Sequence, residues 1–524
     1  MTERMISLSL SFQSGFVSLL VCAGLTRSAS ITGPLVPFRQ RTCTVMPSFT
    51  AAPRTPRRND CTEAAPERMR PRAPSFRSGG TAMLATIMII SSVMAISTIV
   101  KPPVAANLGP SGAAFSVMCF VIRMRDDTIE GSTRSRGDWR MEPFNVYFPT
   151  RIVFGEGKLK ETGDFVAPLA PSVCVVTGHA SMRKTGFLDE LLESLERAGV
   201  EVPLVIEGTP PNPTVEFIDD GVQRMKEFIP GGVEMVVGLG GGSSLDAAKA
   251  LAFSAVNDGS IWEYITPTGA KRQPQRVPLP VVEIPSTSGT GSETSCNAVI
   301  TNPAEEAKCA LSGPYLFPRL AIVDPRLPAA MPRKLTAATG IDAWSHVFEN
   351  FTQCMNDPFT DALNLEALRI VPRWLPEAVE KPSDMEARSH LTVASMMGGM
   401  VLGVSGAHVG HALEHPISAL TNCPHGEGLA FVLKGVTAWI EKVLPERAAM
   451  VEATLPGDGT LSRRYRSLLR RIDCDVMPED VGLEEAHFDK IAALAMKTMA
   501  GAVKRAPVTV DEKTLRDILD MSME

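Results

Sequence analysis

Five residues stand at spacings that could hold a metal ion. Asp342 and His346 are four positions apart, as are His411 and His415, and His425 follows within Cys423-Pro424-His425-Gly426. On a helix, positions i and i+4 share a face. All eight His of the chain lie after residue 141, and His408 stands just before the 411–425 group. That density is unusual for surface residues and costly for an ordinary core. Three imidazoles and one carboxylate suit a divalent ion of borderline softness, such as iron(II) or zinc, and can leave a position open for a substrate oxygen.

Two loops offer a second chemistry. An apolar run, Glu234–Leu239, leads into Gly240-Gly241-Gly242-Ser243-Ser244-Leu245-Asp246. Glycine allows the backbone to approach a phosphate, and a helix from Ser244 to about Ala252 would aim its N-terminal N–H groups at that anion. The pattern is neither GxGxxG nor a Walker A loop. A second apolar strand ends in Pro285-Ser286-Thr287-Ser288-Gly289-Thr290-Gly291-Ser292-Glu293, whose hydroxyls and glycines could line the other side of a bound cofactor.

These residues need elements to position them. The pattern predicts a strand over 148–155, ending at Gly155, and buried strands at Ser172–Thr177, Val202–Ile206 and Glu234–Leu239. Helical spacing falls at Leu188–Ala198 and Val215–Phe228. Strands alternating with helices imply βαβ units and a doubly wound α/β domain. Beyond about residue 330 amphipathic stretches such as Asp361–Trp374 and Glu386–Leu402 take over. No internal repeat is visible. The expected fold class is α/β followed by all-α.

The chain has 524 residues, 44% hydrophobic and 21% charged, with ten Cys and no CxxC pair. That suits a soluble globular protein of about three domains and argues against a disulfide scaffold or a Cys-based zinc site. Residues 1–140 hold 17 of the 52 basic and 8 of the 58 acidic residues, leaving 35 and 50 in the remainder. An acidic remainder argues against a phosphate-backbone binder, so no nucleic-acid partner is expected. Residues 50–78 are crowded with Pro, Arg, Ser and Thr and read as disordered. The stretch between Arg4 and Arg27 has a loose signal-peptide shape. Ala82–Val100 is long enough for a membrane helix, so a membrane anchor, an organellar targeting extension or a natural start at Met141 all compete. The last is favoured, because the alternating strand and helix pattern begins right after Met141. Residues 1–140 are then an extension outside the functional protein.

From Met141 to Glu524 the chain resembles the iron-containing (group III) alcohol dehydrogenases. The resemblance rests on the GGGSxxD loop at 240–246, PSTSGTGSE at 285–293, DPRL at 324–327, ATGIDAWSH at 338–346 and HALEHPISALTNCPHG at 411–426. It implies a dehydroquinate synthase-like architecture: a Rossmann-like NAD(P)-binding domain over 141–330 and a helical metal-binding domain over 331–524. By the same resemblance Asp342, His346, His411 and His425 ligate iron(II) or zinc. His415 is the catalytic, non-ligand His and a candidate proton relay. Gly240, Gly241, Gly242, Ser243 and Asp246 belong to the pyrophosphate loop, and Thr287, Thr290 and Lys308 make further cofactor contacts.

The activity this implies is a cytoplasmic alcohol dehydrogenase or aldehyde reductase, acting on a small alcohol or carbonyl compound and forming a homodimer or larger. NADP or NAD would carry the hydride. Where NAD-preferring folds place an acid, this chain has Gly178-His179, followed by Arg183 and Lys184, which tilts the expectation towards NADP(H). A hydroxyacid–oxoacid transhydrogenase or a glycerol dehydrogenase-like enzyme is the nearest alternative. A catalytically silent structural protein on the same fold and a protein tethered through residues 82–100 are more distant ones.

Overall fold

The computed structural model describes residues 7–13, 16–22 and 143–524, apart from residues 230–231. Strands β1 (Ser7–Gln13) and β2 (Phe16–Cys22) form an antiparallel hairpin in a unit of their own, with Ser7 opposite Cys22. Leu8, Leu10 and Phe12 alternate with Ser7, Ser9 and Ser11. That is the strand period. The other expectations for residues 1–140, Ala82–Val100 included, lie outside the described residues.

The first half of the main unit is built on one parallel sheet. Its strands are β3 (Arg151–Phe154), β4 (Ser172–Gly178), β5 (Glu201–Thr209), β6 (Met235–Gly240), β7 (Val281–Pro285) and β10 (Leu320–Val323), in the order β3-β10-β7-β6-β4-β5. Helices α1 (Phe187–Arg197), α2 (Val215–Lys226) and α3 (Gly242–Ser254) complete the βαβ units. The central strands are continuous apolar runs because both faces are covered. In β4, Val173 and Val175 pack with Leu188, Leu191 and Leu195 of α1, whereas Cys174 and Val176 pack with Ile218 and Val222 of α2 and Leu251 of α3.

Between β7 and β10 the chain inserts an antiparallel hairpin, β8 (Asn297–Asn302) and β9 (Ala307–Ser312), with Thr301 opposite Lys308. The sequence pattern did not reveal it. Each strand is short and mixed, and the turn holds Glu306 at φ 49°, a left-handed conformation with no Gly to mark it.

The second half is helical, as expected. Helices α4 (Arg333–Thr352), α5 (Pro358–Glu380), α6 (Met385–Ser405), α7 (Val409–Thr421) and α8 (His425–Val443) surround one core. Asp357 caps α5 by accepting from the N–H groups of Phe359 and Thr360, both at 2.9 Å, with Pro358 at the first helical position. Helix α4 is buried along nearly its whole length, so it shows little amphipathic period. Asn422, at φ 55°, ends α7 in a left-handed turn, and Pro424 leads into α8 with His425 as its first residue. Among the described residues no single helix is long and apolar enough to cross a membrane.

Candidate metal and cofactor site

Asp342 and His346 sit one turn apart on α4, His411 and His415 one turn apart on α7, and His425 starts α8. Asp342, His346, His411 and His425 each present one ligand atom, and all four atoms lie within 4.8 Å of one another. His346 Nε2 is 3.3 Å and His425 Nε2 3.6 Å from the same oxygen, Asp342 Oδ1. The His346 and His411 rings stack at 4.9 Å. Two atoms aimed into the cluster, Asp342 Oδ1 and His411 Nε2, are buried and hydrogen-bond to nothing. Buried unpartnered polar atoms are costly. Burial pushes the Asp342 carboxyl up, and burial together with the neighbouring imidazoles holds His346 far below its ordinary value. The donor set is therefore one buried carboxylate and three imidazoles converging on a point, with His346 resisting protonation, which fits a divalent cation.

Two glutamates that the sequence reading passed over hold this cluster in place. Glu349 is fully buried and accepts from His411 Nδ1 at 2.7 Å, from the His408 N–H at 2.9 Å and from the His411 N–H at 3.3 Å. That bond fixes the tautomer that leaves His411 Nε2 bare. Burial raises the Glu349 carboxyl, but the charges and hydrogen bonds of His411 outweigh it and bring the group below its ordinary range. Glu414, also buried, accepts from His425 Nδ1. A signal for Glu349 was present, since Asp342, His346 and Glu349 at i, i+4 and i+7 form one stripe of a helix.

Glu414, His415 and His425 could themselves be taken for a second cation site. The ammonium of Lys308 stands there already, 3.7 Å from Glu414 Oε2 and 3.4 Å from His425 Nδ1. Lys308, expected at the cofactor, thus points its charge at the imidazole cluster while lining the same cavity. His415 donates from Nδ1 to the Lys308 carbonyl at 3.1 Å, which leaves Nε2 as an acceptor. Burial first, and the Lys308 charge second, keep that imidazole well below its ordinary value.

A cavity of about 620 Å³ joins the two halves of the main unit. Gly242, Ser243, Asp246, Thr290 and Lys308 line one part of it, and Asp342, His346, His411, His415 and His425 another. Gly240, Gly241 and Thr287 are not among its lining residues. The glycines of the loop are required by close approach: a Cβ at Gly241 would lie 3.2 Å from Thr287 Cγ2, and one at Gly242 would collide with Thr290. No side chain caps α3, whose first residue is Gly242, so its leading N–H groups stay open to an anion. Both Asp246 oxygens are engaged within the protein, accepting from Ser292 Oγ at 2.7 Å and from the Val299 N–H at 2.9 Å. Arg183, offered as a receptor for a 2′-phosphate, forks onto Glu207 at 2.6 and 3.1 Å.

Residues 149–325 match the family model described as iron-containing alcohol dehydrogenase, and residues 336–523 match the model for the C-terminal part of the same family. The chain belongs to the iron-containing alcohol dehydrogenase family. Among its relatives is a Bacillus subtilis protein named probable NADH-dependent butanol dehydrogenase 1, 30% identical over 73% of this chain and 94% of its own length. A Bacillus subtilis choline dehydrogenase is 35% identical over 59% of this chain and 76% of its own. Of solved structures, the archaeal halo-thermophilic Red Sea brine pool alcohol dehydrogenase superposes with a TM-score of 0.69, at 33% identity, over 74% of this chain and all of that one. As a family member the protein is a metal-dependent alcohol dehydrogenase, an oxidoreductase with a Rossmann-like parallel sheet and a helical C-terminal half.

Proposed function

We propose that the protein is an iron(II)-dependent, NAD(P)-linked alcohol dehydrogenase or aldehyde reductase, with residues 141–330 as cofactor domain and 331–524 as metal domain. The observation that carries this reading is the convergence of four ligand atoms from Asp342, His346, His411 and His425, two of them buried without a partner, on the cavity that also takes in the glycine loop. When bound, the divalent ion supplies Lewis acidity towards a substrate oxygen and the nicotinamide carries the hydride.

The chain's own residues have distinct tasks. Glu349 and Glu414 hold the Nδ1 sides of His411 and His425, so that the Nε2 atoms of both would be free to hold a divalent ion. Ser243 and the leading N–H groups of α3 would receive the pyrophosphate, with Gly241 and Gly242 keeping the approach clear and Thr287 and Thr290 facing them. His415 holds a neutral imidazole whose Nε2 can take up the alcohol proton and return it on carbonyl reduction. Since Arg183 already pairs with Glu207, the tilt towards NADP(H) over NAD(H) loses its main support. A small alcohol or aldehyde is the substrate class, and the setting is a cytoplasmic homo-oligomer.

The test is reduction of short aldehydes by NADPH and NADH with iron(II)-loaded protein, set against His411→Ala. The variant should bind metal more than about a hundredfold more weakly and lose turnover, while keeping its circular dichroism. A His411→Ala protein that retains both metal and turnover would sink the assignment.

A further inference from the structure

We infer that the substrate of this site is an alcohol or aldehyde bearing a terminal anionic group, a carboxylate foremost, which the Arg505 guanidinium receives. This rests on the dehydrogenase reading above and names the substrate class within it.

Two cationic side chains besides the imidazoles line the cavity, Lys308 and Arg505. Lys308 has Glu414 at 3.7 Å. Arg505 has neither a side-chain hydrogen bond nor an ion pair among the described residues. Partial burial lowers its pKa, and the Cys354 thiol, not a carboxylate, is the group that acts against that effect. A partly desolvated guanidinium without an anion is unfavourable, and in a cavity wall it is a receptor.

The surrounding backbone makes room for it. Gly406 holds φ 79°, and a Cβ there would stand 3.0 Å from Arg505 Cζ and 3.2 Å from Nε. Any other residue at 406 would be strained and would press on the guanidinium. Gly406 lies three residues before α7, which carries His411 and His415, and Arg505 lines the same cavity as those imidazoles. Leu402, Val404, Met355 and Met499 share that wall and suit the methylenes of a short chain. A planar fork accepts a carboxylate through two parallel hydrogen bonds, which a neutral alkyl end cannot use.

Butanal and 4-oxobutanoate have equal chain length and differ in the terminal carboxylate. The wild-type protein should prefer 4-oxobutanoate in kcat/KM by about tenfold or more, chiefly through KM. Arg505→Met should lower the ratio of the two by about ten- to a hundredfold, and Arg505→Lys, which keeps charge without the fork, by less. Equal or better use of butanal by the wild type would overturn the inference and leave the dehydrogenase reading standing. So would an effect of Arg505→Met confined to the nicotinamide KM, which would give the guanidinium to the cofactor instead. Preference for choline, a cationic alcohol, would also overturn it. If no aldehyde is reduced, the dehydrogenase reading fails. Calorimetric titration of 4-hydroxybutanoate against butan-1-ol then still decides, because binding of the acid alone, lost in Arg505→Met, supports the receptor, and no binding of the acid removes it.

Discussion

Two buried polar clusters in this molecule look alike by composition and differ in what completes them. Under the glycine loop, the partly buried Asp246 and the buried Glu283 and Glu293 surround a buried Lys249. Lys249 Nζ donates to Ser292 O at 2.6 Å, Ser292 Oγ at 2.8 Å, Asn297 O at 2.9 Å and Ser295 O at 3.1 Å, with Glu283 at 3.7 Å. Burial pushes Glu283 up to about 8 and Glu293 up to about 7, so these acids approach the neutral form. Across the cavity, Asp342 Oδ1 and His411 Nε2 belong to a cluster of ligand atoms within 4.8 Å of one another, and neither has a hydrogen-bond partner. The first cluster contains its own cation and is architecture. The second is complete only with a cation from outside.

Breaking that contrast at its centre gives the largest effect. Lys249→Met removes the internal cation and should destabilise the fold by about 3–5 kcal/mol, measured by urea denaturation. The same variant, where still folded at low temperature, should bind iron(II) as the wild type does. Equal stability would deny Lys249 its role.

Glu349→Gln probes the other cluster. It should weaken metal affinity by about ten- to a hundredfold with little change in the unfolding midpoint, read by competition with a chelator. A pH profile adds a signature that lost packing would not produce. The carboxylate that orients His411 is gone, so proton competition for that nitrogen should intrude at a different pH from the wild type.

A further effect concerns Glu283. An acid raised to about 8 in the folded protein, against 4.5 when exposed, keeps its proton on folding, so the folded state binds more protons across that window. Stability should fall as pH rises from 4.5 to about 8. Glu283→Gln should flatten this slope, and an unchanged slope would show that Glu283 ionises normally in the core.

Much of this was legible in the sequence because function had put rare residues at rigid spacings. Asp342, His346, His411 and His425 were visible as types and intervals, and the structure brings them together. The parallel strands announced themselves as apolar runs such as Ser172–Thr177, whose observed span, Ser172–Gly178, differs by one residue. What escaped had no local signature. Arg505 is one Arg among many until a cavity wall is drawn around it. Glu414 gains meaning only when α8 brings His425 against it. The β8–β9 hairpin hides because its strands are short and its turn uses Glu306 where Gly would be the usual mark.

That hairpin acts as a spacer between the two chemistries. Val299 on β8 donates its N–H to Asp246 of α3, while on β9 the carbonyl of Lys308 receives His415 and its ammonium meets Glu414 of α7. One rung of the ladder, Thr301 opposite Lys308, thereby fixes the span from the glycine loop to the imidazoles. A slip of two residues would keep the side-chain faces and deliver Ala310 or Glu306 where Lys308 stands. Length changes in the turn at 303–306 are therefore a sensitive place to retune the reach between nicotinamide and substrate, whereas lengthening the neighbouring loop at 266–278 leaves that gauge untouched.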